Sequence, residues 1–319
     1  MCFPVTTGNG WPSIMRYKAH QVPSLLVTGS NGQVGFELRR SLAPLGEVIA
    51  LDRSVCDLSR PESLRDVVRS IRPDVIVNAA AYTAVDQAET EPELAYVVNG
   101  IAPGVLAEEA RACGSLFIHY STDYVFAGIG DAPYVESDAT GPLSVYGKSK
   151  LAGEAAVEAA QASSLVLRTS WVAGLHGANF AKTILRLGRE RDALRVIADQ
   201  FGAPTTASLI ADVTARLIER AWLRGDRAAL PGGIYHLAAA GETSWYGYAT
   251  EVLRHAAAKG VALKIKPHAI EAIPATAYPL PAPRPSNSRL STRKLRETFD
   301  IHLPSWQQGV HYLLDQLLP

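Results

Sequence analysis

Five short apolar runs, the first three about 25 residues apart, alternate with helical patterns, and this alternation restricts the fold more than any other feature of the chain. The runs are Ser24–Val27, Glu47–Asp52, Asp74–Asn78, Leu116–Tyr120 and Ser164–Thr169. Strand and helix taken in turn predict an α/β chain built on a Rossmann-type, doubly wound parallel sheet. After about residue 173 the alternation breaks. Residues 178–189, 207–223 and 244–257 read as helices, and a run near 233–237 reads as a strand able to rejoin the sheet. Residues 267–285 are proline-rich and are expected to be mostly loop, forming a wall or lid over a site. The expected division is a leader at 1–23, a dinucleotide-binding domain at 24–173, and a smaller substrate domain at 174–319 assembled from separated segments.

The first strand runs into Thr28-Gly29-Ser30-Asn31-Gly32-Gln33-Val34-Gly35, followed by a helix. Each glycine has a reason in that setting. Gly29 permits the tight turn, Gly32 lets a pyrophosphate approach the backbone, and Gly35 lets helix and strand pack closely. The helix N-terminus then offers free N–H groups to the phosphates. The second strand ends in Asp52, about twenty residues on, where a ribose-binding carboxylate belongs. Arg53 follows and would attract a 2′-phosphate that Asp52 repels, so the choice between NADH and NADPH stays open. Asp57 reads either as an adenine contact or as a turn cap.

The stretch Tyr146-Gly147-Lys148-Ser149-Lys150 carries the chemistry. Residues four apart share a helix face, so Lys150 is expected to stand over Tyr146 and lower the pKa of its phenol by charge. A phenol brought toward neutrality can act as a general acid or base. Thr122 adds a hydroxyl at the end of the fourth strand. Hydroxyl, phenol, amine and glycine loop together point to a nicotinamide-dependent redox or epimerase enzyme. The overlapping Gly141–Ser149 run has one residue too many between its glycines for a triphosphate loop.

Composition removes other classes. The chain has 319 residues, 47% hydrophobic and 19% charged, with a net charge of zero. Basic residues do not cluster, so no nucleic-acid partner and no anionic membrane surface is supported. No apolar run reaches the ~18–20 residues of a membrane helix. Cys2, Cys56 and Cys113 are far apart and odd in number, which suits a reducing, cytoplasmic setting and gives no metal-ligand spacing. A bound phosphate needs cationic or amide donors. Arg284, Asn287 and Asn179 are the candidates, with turn and cap duty as the alternative.

With these residues in view, the chain resembles the extended short-chain dehydrogenase/reductase family, in the branch that reduces dTDP-4-dehydro-L-rhamnose. The resemblance covers about Leu25 to Leu317. It rests on T-G-S-N-G-Q-V-G (28–35), N-A-A-A-Y-T-A-V-D-Q-A-E (78–89), S-T-D-Y-V-F (121–126), Y-G-K-S-K-L-A-G-E (146–154), R-T-S-W-V (168–172), D-Q-F-G-A-P-T (199–205) and R-P-S-N-S-R-L (284–290). It implies that Tyr146 is the proton donor, Lys150 the ribose-binding lysine, and Thr122 the hydroxyl that polarises the keto oxygen. It implies Gly32, Gln33 and Val34 under the pyrophosphate, and Asp52, Asp57 and Leu58 around the adenosine. Ala81, Tyr82, Thr83 and Tyr120 would be further cofactor contacts, and Asp123 and Trp171 sugar-nucleotide contacts. Ala127 departs from the acid or amide common after V-F. Some members join a homodimer through Mg2+, using an acid that matches Glu37. The alternatives are a regulatory subunit that binds the dinucleotide without catalysis, and an epimerase or dehydratase of the same superfamily. For the dehydratase, the acidic pair beside Thr122 is incomplete, since Asp123 is followed by Tyr124.

Overall fold

The computed structural model describes residues 22–223 and 229–318. The expected leader at 1–23 lies outside the described residues except for its last two. Pro23 already belongs to the sheet margin, where its carbonyl accepts from the Glu47 amide at 2.9 Å.

Six strands form one sheet: β1 (Ser24–Thr28), β2 (Glu47–Leu51), β3 (Val75–Asn78), β4 (Leu116–Thr122), β5 (Ser164–Thr169) and β6 (Gly233–His236). Their spatial order is β6-β5-β4-β3-β1-β2, and every neighbouring pair is parallel. The direction of winding reverses between β1 and β3, which opens a crevice at their carboxyl ends.

Side-chain alternation along each strand feeds two cores. Leu25 and Val27 face α1 (Gln33–Leu42) and meet Leu38 and Leu42. Leu26 faces the opposite way, with Leu64 and Val68 of α2 (Pro61–Ile71), Val105 and Leu106 of α3 (Ala102–Cys113), and Val157 of α4 (Val145–Ala159). A third core lies beyond the sheet. It gathers Ile184 and Leu185 from the helix Phe180–Glu190, Tyr248 and Val252 from Trp245–Ala258, and Trp306 and Val310 from Trp306–Leu317.

The segments after residue 173 therefore divide. Ile210, Val213 and Leu217 of α5 (Ala207–Leu223) pack on the Leu25 face of the sheet, with Leu295 and Phe299 beside them. These residues pack with the six-stranded sheet and not with the third core. Residues 267–285 also differ from the expected loop. Ile270–Ile273 is a strand, parallel to Leu194–Ile197, with Ile270 and Ile273 both buried between the flanking prolines. The helical stretch between β3 and β4 contains a π turn at Val97–Ile101, just before Pro103, which has no N–H to give. Among the described residues, no helix is long and apolar enough to cross a membrane.

The helix α4 starts at Ser144, whose hydroxyl accepts from the Gly147 amide at 3.1 Å. A buried ion pair ties it to the sheet. Arg168 on β5 donates to both carboxylate oxygens of Glu154, at 2.9 and 2.6 Å, and both side chains are 3% exposed. Glu154→Gln leaves the guanidinium buried without its counter-charge. We expect a loss of about 3–5 kcal/mol in unfolding free energy, measured by urea denaturation.

Candidate active site

The crevice at the carboxyl ends of β1 to β5 holds a cavity of about 910 Å³. Gly29, Gly32, Gln33 and Val34 form one wall, and Asp52, Asp57 and Leu58 another. Ala81, Tyr82, Thr83, Tyr120, Thr122, Asp123, Tyr146, Lys150 and Trp171 complete the sequence-derived residues that line it.

The glycine loop is built by close approach. Gly29 has φ 67°, and a Cβ at Gly35 would stand 2.1 Å from the Gly29 carbonyl oxygen. Gly35 thus supports the turn without lining the cavity. Gly32 caps α1 with no side-chain hydrogen bond, and the first turn has no acid. Its free N–H groups suit an anion. The Gln33 side chain is engaged elsewhere, accepting from the Gly174 amide at 2.8 Å and from Asn179 at 3.1 Å.

Asp52 accepts from the Ser54 hydroxyl and amide and, at 3.0 Å, from Asn31. Chiefly the Ser54 bonds hold its carboxyl below the usual range, so it is charged at neutral pH. Asp57 accepts from the Ser59 amide at 3.0 Å, the turn-capping geometry, while still lining the cavity. The hydroxyls of Ser121 and Thr169, at the ends of adjacent strands, are buried, line the cavity, and have no protein partner. A dinucleotide with polar groups along its length fits this set of free amides, free hydroxyls and one charged carboxylate, Asp52.

Thr122 donates to Asp123 at 3.0 Å and accepts from the Tyr124 amide at 3.2 Å. Burial pushes the Asp123 carboxyl up to about 6 against the pull of its hydrogen bonds. Tyr146 packs edge-on against Tyr124, with ring centres 5.5 Å apart. Its phenol is pushed up to about 12, first by burial, while a bond with Thr122 pulls it down and the Asp123 charge raises it. The expectation that Lys150 would lower this pKa is not met. The ammonium is engaged on β4, donating to the Tyr120 carbonyl at 2.7 Å and lying 3.2 Å from His119 Nε2. Burial lowers its own pKa to about 8, partly offset by Glu154.

Other expected contacts have different partners. Asn179 caps its helix, accepting from the Lys182 amide and donating to Gly174 and Gln33. Arg284 forms a two-pronged pair with Asp86 at 2.6 and 2.7 Å. Asn287 is buried, donating to the Ala132 carbonyl and accepting from Arg289. None of the three lines the cavity. The alternative of turn and cap duty describes Asn179 and Asn287. Glu37 pairs with Arg40 at 3.3 Å, and no cluster of three or more His, Cys, Asp or Glu side chains suited to a metal occurs among the described residues. Nothing here supports Mg2+.

Trp171 sits at φ 47° with its indole stacked on Trp245, the ring centres 3.6 Å apart. A Cβ at Gly202 would stand 2.7 Å from Trp171 Cε2, so backbone packs against the indole there as well. Trp171 is therefore wall and packing together, and Trp245 lines the cavity beside it. Nothing in the local pattern singled out Trp245, which lies far along the chain. Ser121 and Thr169 had a signal, since each is a hydroxyl at a central strand end like Thr122.

The family model for the RmlD substrate binding domain matches residues 23–318. A dTDP-4-dehydrorhamnose reductase of Escherichia coli (strain K12) is 52% identical over 298 residues, covering 92% of this chain and 98% of that protein. Its namesake from Shigella flexneri is 51% identical with the same coverage. Among solved structures, a dTDP-4-dehydrorhamnose reductase from Bacillus anthracis str. Ames in complex with NADP is similar at TM-score 0.84 and 32% identity, covering 93% of this chain and 100% of that one.

Asp123 gives a pH test of the site. Its proton is held more tightly in the folded chain than at the ordinary value of 3.8, up to about 6. Its contribution to stability therefore falls as pH rises through that window. The stability gained by Asp123→Asn over the parent should grow by up to about 3 kcal/mol between about pH 4 and pH 7, read from urea melts of both proteins.

Proposed function

The chain belongs to the RmlD substrate binding domain family, and from that we propose that it is an NADPH- or NADH-dependent reductase. It converts the C4 keto group of dTDP-4-dehydro-L-rhamnose to the alcohol of dTDP-L-rhamnose. The observation that carries this reading is the meeting of Thr122, Tyr146 and Lys150 with the Gly29–Gly32 loop and Asp52 around one cavity. The named relatives, similar over almost their whole length, support the choice of substrate.

A bound reduced nicotinamide supplies the hydride. The residues of this chain handle charge and protons. The Tyr146 phenol, pushed up to about 12, keeps its proton at neutral pH. That suits a donor to the alkoxide that forms at C4. The Thr122 hydroxyl lies beside it and polarises the keto oxygen. Lys150 holds a positive charge a helical turn below, within the wall that receives the cofactor ribose. Asp52 takes the adenosine ribose hydroxyls.

Tyr146→Phe removes the proton without removing the ring. We expect kcat to fall by about 100- to 10,000-fold, while the dissociation constant for NADPH, from nicotinamide fluorescence, stays within about twofold. Turnover of dTDP-4-dehydro-L-rhamnose near the parent rate would reject the assignment.

Cofactor choice turns on Arg53, which lines the cavity beside Asp52 and lies 3.5 Å from Asp57. Its exposed guanidinium is the cation available to a 2′-phosphate. Arg53→Ala should raise KM for NADPH about 5- to 10-fold and leave KM for NADH unchanged, measured by absorbance at the nicotinamide band.

A further inference from the structure

Behind Lys150 lies a buried polar file that the reaction above does not use. Thr28, Asn78 and His119 are register partners across β1, β3 and β4. They are 0%, 1% and 0% exposed, and Lys150 at the end of the file is 2% exposed. The Thr28 hydroxyl donates to Asn78 Oδ1 at 2.6 Å, Asn78 Nδ2 lies 3.1 Å from His119 Nδ1, and His119 Nε2 lies 3.2 Å from Lys150 Nζ. Apolar side chains would fill this layer at no cost in hydrogen bonding, and a buried polar row needs every member satisfied.

Counting protons ties the file to the charge on Lys150. A neutral imidazole has one N–H and one lone pair. In the arrangement seen, Asn78 gives its NH2 to Nδ1, so the ring proton sits on Nε2. That proton needs a lone pair, which Lys150 has only as a neutral amine. Turning the Asn78 amide over gives the arrangement that an ammonium can meet, at the cost of the bond the Thr28 hydroxyl now donates. Thr28 then accepts from Asn78, Asn78 oxygen accepts from Nδ1–H, and Nε2 accepts from the Lys150 ammonium. A doubly protonated ring beside an ammonium is excluded, since burial and the Lys150 charge hold His119 well below its ordinary value.

We propose that His119 is a positioning residue for Lys150, and that the Thr28–Asn78–His119 file reverses its hydrogen bonds when the lysine gains or loses its proton. The file ends at Thr28, next to Gly29 of the dinucleotide loop, so the two ends of the cofactor site share one hydrogen-bonded row. The inference rests on the reductase reading for the role of Lys150, and not for the tautomer itself.

The other charged and titratable groups around the pair leave the window open. Glu154 and Arg168 neutralise each other, Asp123 titrates at about 6, Tyr146 at about 12, and Tyr120 and Tyr124 are held well above the ordinary tyrosine range. Lys150, at about 8, titrates between them.

The test has two arms. Nitrogen chemical shifts of the histidines in the unliganded parent protein, followed from about pH 6 to pH 10, should show the His119 lone pair on Nε2 at the acid end and on Nδ1 at the alkaline end. One tautomer throughout would overturn the proposal, whatever the enzyme reduces. In the second arm, the alkaline limb of kcat/KM is compared in the parent, His119→Phe and His119→Gln. Phe removes an acceptor for the ammonium, so the limb should move down by about one pH unit. Gln keeps a carbonyl there and should restore it. An unmoved limb in folded His119→Phe would reject the positioning role. If that variant fails to fold, the shifts of the parent decide the question alone.

Discussion

An ammonium removed from water has to be met by lone pairs and offset by negative charge, and the burial of Lys150 imposes both demands on its surroundings. One lone pair comes from the Tyr120 carbonyl, and the His119 ring offers a second when its Nε2 carries no proton. Glu154, one helical turn on, raises the amine's pKa in part, while its carboxylate is paired with Arg168 on β5. These contacts press α4 against the sheet. Tyr146, one turn before Lys150, is thereby delivered to the end of β4 beside Thr122. The position of the phenol is a consequence of where the amine is buried.

The direction of the pKa shifts follows from the same enclosure. Burial favours neutral forms, so the Tyr146 phenol rises, the Asp123 carboxyl rises and the Lys150 amine falls. A charged lysine next to the phenol would have worked the other way. Turned toward Tyr120, it leaves the phenol protonated. The proton-donor role proposed for Tyr146 is better served by that state than by a phenolate.

The parts of the molecule that could be read in the sequence are those governed by short-range geometry. The glycine loop, Asp52, Thr122 and the Tyr146–Lys150 spacing are each set within one turn or one strand end, and all except Gly35 meet at the cavity. Gly35 has the packing duty that its place in the pattern implied. Choice of partner across the fold is not written locally. Arg284 finds Asp86 nearly two hundred residues away, and Asn287 is spent on backbone groups of another segment. His119 looks like any strand residue until β3 and β1 are laid beside it. The strand Ile270–Ile273 is hidden among prolines because its partner, Leu194–Ile197, is far off in the chain.

The return of β6 to the edge of the sheet has a consequence for synthesis. Until residues 233–236 leave the ribosome, β5 is a bare edge, and until α5 is complete the face that carries Leu25 and Val27 is covered by α1 but lacks Ile210, Val213 and Leu217. Open edges and uncovered apolar faces invite mispairing with other chains. The nucleotide half is thus first in sequence and among the last to close, so a nascent chain spends much of its translation exposed. Chaperone demand should fall on the emerging front half, and a gene fragment ending near residue 173 encodes a sticky sheet and not a small domain.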